Sequence, residues 1–161
     1  MKKISQNKII QVLKKTLFIV LLFFAGTFIE LYWSMGKFSE RMSSGCLDCT
    51  FIEDVYLISL LTSIFLTIAF LLLSLIKKMY LKSVVELVLL LSIWDFWNYS
   101  IFVDRESSWS TYTLKEELIY TFSLSILPVV ALSIAVIFSI NYISRRTKIR
   151  QWKHTSKNKL L

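Results

Sequence analysis

The chain has 161 residues, of which 55% are hydrophobic and 19% charged, and it carries a formal net charge of +8. A soluble domain of this length buries about 70% of its unfolded surface, too little to hide so much apolar material, so the composition excludes an ordinary water-soluble fold and points to lipid as solvent. With 3 glycines and 1 proline, it also excludes a loop-rich or disordered chain.

The apolar residues fall into four runs, at 16–35, 55–76, 83–103 and 118–143. Each is near or above the roughly 20 residues needed to cross a hydrocarbon core at 1.5 Å per residue. In lipid the backbone must satisfy its own polar groups, so each run is expected to be a helix. The expected architecture is all-α and integral to the membrane: one domain over residues 1–161, a four-transmembrane-helix bundle. Loops 36–54 and 104–117 lie at one end, and a basic tail covers 144–161. The first run has the basic start of a secretory leader. No A-x-A-like cleavage site follows, and the run continues through Leu31, Tyr32 and Trp33, so it reads as a retained helix.

Basic residues give an orientation. Lys2, Lys3, Lys8, Lys14 and Lys15 precede the first run; Lys77, Lys78 and Lys82 join the second to the third; seven more, from Arg145 to Lys159, fill the tail. Positive charge stays on the cytoplasmic side during insertion. The expectation is a multi-pass protein of a bacterial-type inner (cell) membrane, N-in and C-in, with both termini cytoplasmic. Loops 36–54 and 104–117 then face outward and hold eight of the acids, among them Asp48, Glu53, Asp54, Asp104, Glu116 and Glu117. The tail is expected to hold to anionic lipids, at about 1 kcal/mol per basic residue near the surface. Topology accounts for its charge better than nucleic acid does.

Both cysteines fall in one C-x-x-C, Cys46-Leu-Asp-Cys49, in the first of these loops. An outward loop permits a disulfide. The pair is open to several readings: a reactive dithiol, a structural staple, a metal clip, or an incidental pair. Asp48, Glu53 and Asp54 disfavour a thiolate nearby, while the start of the second helix would favour one if the loop folds onto it. A closed metal site takes about four ligands, and the single histidine, His154, is in the tail on the other side.

Four spans, both ends inside, and a C-x-x-C just ahead of the second span resemble the membrane disulfide-generating quinone reductases of the DsbB type. The resemblance implies that Cys46 and Cys49 exchange electrons with a quinone near the second helix. The chain carries one of that family's two cysteine pairs, and Thr50, Phe51, Ile52, Glu53 and Asp54 stand where the family places an arginine.

Acids inside the spans are the remaining candidates, since a charge at mid-helix costs about 2.5–3.5 kcal/mol on insertion scales. Glu86 follows Lys82 by four residues, a spacing that predicts a local ion pair. Glu30 is near enough to the outer end of the first run to reach headgroups, or else faces inward. Asp95, within Trp94-Asp-Phe-Trp-Asn98-Tyr99, is eight residues, or roughly 12 Å of helical rise, from the end of its run, too deep to reach the surface easily. Asn98, Tyr99 and Phe102 follow it at helical spacing. The pattern predicts a polar, aromatic-lined cavity with Asp95, Asn98 and Tyr99 on one wall and Glu30 opposite. Such a site would take a quinone head, a lipid, a proton or a partner helix; the alternative is a hydrogen bond that only fixes packing. Ser59, Ser63 and Thr67 on the second run, and Ala131, Ala135 and Ser139 on the fourth, form small-residue stripes that permit close helix approach.

No phosphate loop, H-E-x-x-H or nucleophile elbow occurs. The favoured expectation is a non-enzymatic accessory, assembly or immunity-type subunit that packs against a membrane-protein partner or its own copies. The rival is a thiol-disulfide oxidoreductase using Cys46 and Cys49 with a quinone. A small channel or carrier is a further alternative.

Overall fold

The computed structural model describes residues 2–157. Four helices carry the chain: α1 (Lys2–Met35), α2 (Phe51–Leu73), α3 (Met79–Arg105) and α4 (Leu114–Lys157), with short 3-10 turns at Gly36–Phe38 and Ser107–Trp109. All four contain stretches long and apolar enough to cross a membrane, within Val12–Phe38, Phe51–Leu73, Tyr80–Trp109 and Leu114–Ile143. The fold is the expected all-α four-transmembrane-helix bundle.

Helices α1, α3 and α4 overrun their apolar runs, α2 starts early and stops at Leu73, and the starts of α2 and α4 have identifiable causes. Thr50 caps α2 through a reciprocal box: its hydroxyl accepts from the Glu53 amide (3.3 Å), and the Glu53 carboxylate accepts from the Thr50 amide (2.9 Å). Thr113 and Glu116 repeat the device on α4, at 3.4 Å and 2.8 Å. Each box satisfies two otherwise orphaned amides, so both helices begin four residues before the hydropathy does. The basic tail is not a separate segment, because the backbone of α4 stays helical to Lys157. The tail side chains, including His154 and the expected lipid contacts, and residues 158–161 lie outside the described residues.

Helix α1 packs against all three others, and α3 packs along α4. Two apolar clusters form the core. One joins Ile19, Phe23, Leu66, Phe70, Leu90, Trp94 and Val136; the other joins Leu31, Met35, Phe51, Val55, Ile101 and Phe102. On α1, α2 and α3 the residues between these two groups include buried polar ones, Thr27 and Glu30, Ser59, Thr62 and Ser63, and Asn98, and α4 buries Thr121 and Ser125 ahead of Val129. The bundle is therefore apolar, polar, apolar along its axis.

At Gly26 helix α1 comes close to α3 and α4. A β-carbon there would lie 3.1 Å from Cγ2 of Val136 and 3.7 Å from the Trp94 ring. The Ser59, Ser63 and Thr67 stripe is buried, and each hydroxyl bonds back to its own helix, on the carbonyls of Val55, Leu60 and Ser63. The stripe on α4 behaves differently: Ala131 and Ala135 are exposed and Ser139 is half-buried. The inward face of α4 runs instead through Thr121, Ser125, Val129, Ser133 and Val136. Pro128 sits within that helix without ending it.

Candidate functional site

The polar layer is built from α1 and α3 first. Glu30 is 0% exposed, and its Oε1 accepts from the Asn98 amide (2.8 Å) and from the Ser34 hydroxyl (2.7 Å). One turn away the Trp94 indole donates to the Thr27 hydroxyl at 3.1 Å. Oε2 of Glu30 and Oδ1 of Asn98 have no partner. Glu30 thus does not reach toward headgroups. Its position on the inner face of α1, between the two apolar clusters, turns it onto α3. Its pairing with Asn98 is the cross-helix contact the sequence raised as an option.

Asp95 and Tyr99 do not join that pair. Asn98 and Tyr99 are successive residues, hence about 100° apart around the helix, and the α1 interface takes only the first. Asp95 and Tyr99 line a groove of about 240 Å³ between α3 and α4, with Ser92, Phe96, Thr121 and Phe122. The Ser125 side chain faces Asp95. The Tyr99 hydroxyl donates to Oε2 of Glu117 at 2.8 Å, tying α3 to the first turns of α4. The single cavity expected around Asp95, Asn98, Tyr99 and Glu30 is therefore two environments: a closed contact in the core and an open groove on the flank. Glu86 behaves as its spacing predicts, 3.4 Å from the Lys82 ammonium.

At the other candidate, Cys46 and Cys49 form a disulfide. The loop that carries it is fastened at many points. The Ser43 hydroxyl accepts from the amides of Gly45 (3.2 Å) and Cys46 (3.1 Å). The Ser44 hydroxyl and the Gly45 amide both donate to the Asp104 carboxylate, at 2.8 Å and 3.0 Å. Beneath them lies Arg105, 1% exposed, which pairs with Asp54, donates to the carbonyls of Arg41 and Cys49, and sits 5.4 Å from the centre of the Phe51 ring. Arg41 in turn pairs with Glu106 at 2.9 Å. Tyr112 donates to Glu106 as well (3.3 Å), and burial together with that carboxylate pushes its phenol above the usual tyrosine range.

Arg105 is the residue that reading the sequence overlooked. It is 56 positions from Cys49, and only the return of α3 beside α2 joins them. The sole sequence signal was a lone cation at the end of an apolar run, next to an acid-rich loop. Thr121 and Ser125 were also missed, although their four-residue spacing was visible beside the Ala131, Ala135 and Ser139 stripe. Among the described residues no group of three His, Cys, Asp or Glu gathers as a metal site would.

No protein-family model matches this sequence, and no curated protein or solved structure matches it significantly.

Proposed function

We propose that the protein is a small polytopic membrane subunit that works by packing against a partner in the bilayer, in an accessory, assembly or immunity-type role. The supporting observation is the α3–α4 groove. It presents Asp95 and Thr121, within the apolar spans, on a flank rimmed by exposed Phe96 and Phe122, with Ser125 facing Asp95 from α4. Lipid tails offer such groups no hydrogen bond, whereas another helix does. The fastened disulfide loop agrees with this reading, since the pair then staples one end of the bundle. In the proposed topology both termini are cytoplasmic and the disulfide lies outside, as the lysines at 2–15 and 77–82 favour.

Crosslinking and mass spectrometry on native membranes test the reading, with a stoichiometric membrane-protein partner as the expected result. Recovery of only solitary chains would refute it. A reporter on the carboxyl end that is active only outside the membrane would refute the topology.

The Cys46–Cys49 disulfide favours a second reading, a thiol-disulfide oxidoreductase. In that reaction the reduced pair passes two electrons and two protons to a quinone, yielding the disulfide and a quinol. Alkylation before and after addition of a quinone distinguishes the two readings. A cysteine-free variant with full activity excludes the second.

A further inference from the structure

We propose that the α3–α4 groove is the docking site for a partner transmembrane helix that bears a basic side chain at mid-membrane depth, with Asp95 as its counter-charge. This deepens, and rests on, the reading of the chain as a packing subunit.

Asp95 is eight residues from the end of its apolar run, or about 12 Å of rise, well inside a hydrocarbon core of roughly 30 Å. The ion pairs among the described residues are Arg41–Glu106, Lys82–Glu86 and Arg105–Asp54. Asp95 belongs to none of them. Two further groups aim into the same place from α4. Thr121 is 2% exposed and lines the groove, and Ser125 is 0% exposed and faces Asp95; neither hydroxyl has a hydrogen-bond partner of ordinary geometry. A half-buried carboxylate outside those ion pairs, with the unpartnered Thr121 hydroxyl beside it, forms a receptor for a cation that the fold itself does not supply.

The position decides what brings the donor. Phe96 and Phe122 at the rim are 61% and 47% exposed, and exposed Ile119 and Ile126 flank them on α4, so the groove opens sideways toward lipid. A second groove of about 330 Å³ shares Phe96 and Tyr99 and continues toward Asp104 at the disulfide end. This elongated track along α3 fits a helix laid beside it. A cation at this depth is costly for its own helix and is offset by an acid at the same depth, so intramembrane charges pair with one another. A second copy of this chain lacks such a group. The four apolar runs contain no Lys or Arg at all.

The test uses the full-length protein in phosphatidylcholine vesicles and a designed Leu/Ala transmembrane helix with one central Lys, compared with the same helix carrying Leu there. Fluorescence energy transfer reads their association. The Lys helix is expected to bind about tenfold more tightly, the scale of one good interhelical polar contact. Asp95→Asn should remove that preference, Asp95→Glu should retain most of it, and Thr121→Val should reduce it. Equal binding of the two helices, or a preference unchanged in a folded Asp95→Asn protein, would overturn the proposal. In native membranes, a photo-crosslinker replacing Phe122 should capture a segment containing Lys or Arg between apolar residues, and one replacing Leu72 on α2 serves as the control. Protein crosslinks from Leu72 alone would leave the packing reading intact and overturn the groove, as would adducts at Phe122 consisting only of lipid or quinone. No protein crosslink from either position would overturn both.

Discussion

Replacing Arg105 with methionine tests whether one buried guanidinium holds the disulfide end together. Methionine keeps the apolar contact with Phe51 but removes every donor. The carbonyls of Arg41 and Cys49 then lose their Arg105 bonds, and Asp54 loses its counter-ion. An orphaned buried acceptor costs about 1–3 kcal/mol; both carbonyls are only part-buried, so the lower half of that range applies to each. The Asp54 side chain is 30% exposed, and water replaces most of what it loses, so its share is discounted to near zero. The total is about 2–4 kcal/mol, which converts to an increase of about 30- to 700-fold in opening of the loop. Hydrogen exchange in detergent micelles reads this directly at the amides of Ser44, Gly45 and Cys46, each of which is bonded in the closed loop. Protection there should fall by that factor, while amides in the middle of α2 change little. If these three amides keep wild-type protection in Arg105→Met but lose it in Asp104→Ala, the Asp104 contacts alone hold the loop and the role given to Arg105 is wrong.

Three other perturbations probe the rest of the molecule. Gly26→Val forces a branched side chain into the approach to Val136 and Trp94 and should cost about 1–3 kcal/mol as overpacking, seen as a lower thermal midpoint in detergent. Asn98→Leu leaves Glu30 with only its Ser34 bond and should cost about 1–3 kcal/mol; Trp94→Phe frees the Thr27 hydroxyl and leaves part of a fully buried indole's space empty, and should cost about 2–4 kcal/mol by the same measurement. Changing both Cys46 and Cys49 to serine should lower stability by about 2 kcal/mol, the loop-closure entropy of so short a ring. Circular dichroism should still report an intact helical bundle, because Arg105 and Asp104 continue to hold the loop.

Local chemistry fixed much of this protein from the sequence by itself. Four runs of about 20 apolar residues admit little but helices in lipid, since the backbone has no other way to satisfy its polar groups. The Lys82–Glu86 pair lies on one helix and was legible for the same reason: its geometry depends on spacing alone. What required the tertiary structure was the rotation of each helix about its axis. Asp95, Asn98 and Tyr99 lie within five residues of one another, yet the fold turns Asn98 onto Glu30 and leaves Asp95 and Tyr99 at the groove. Where a helix is apolar on most of its circumference, hydropathy carries little information about which side meets lipid and which meets protein. For that reason the small stripe on α2 is buried while Ala131 and Ala135 of the one on α4 are exposed. Arg105 reaches Cys49 through the same rotational choice. Its partners come from loops and helix ends far away in the chain, and no periodicity links positions that only a turn of the backbone brings together.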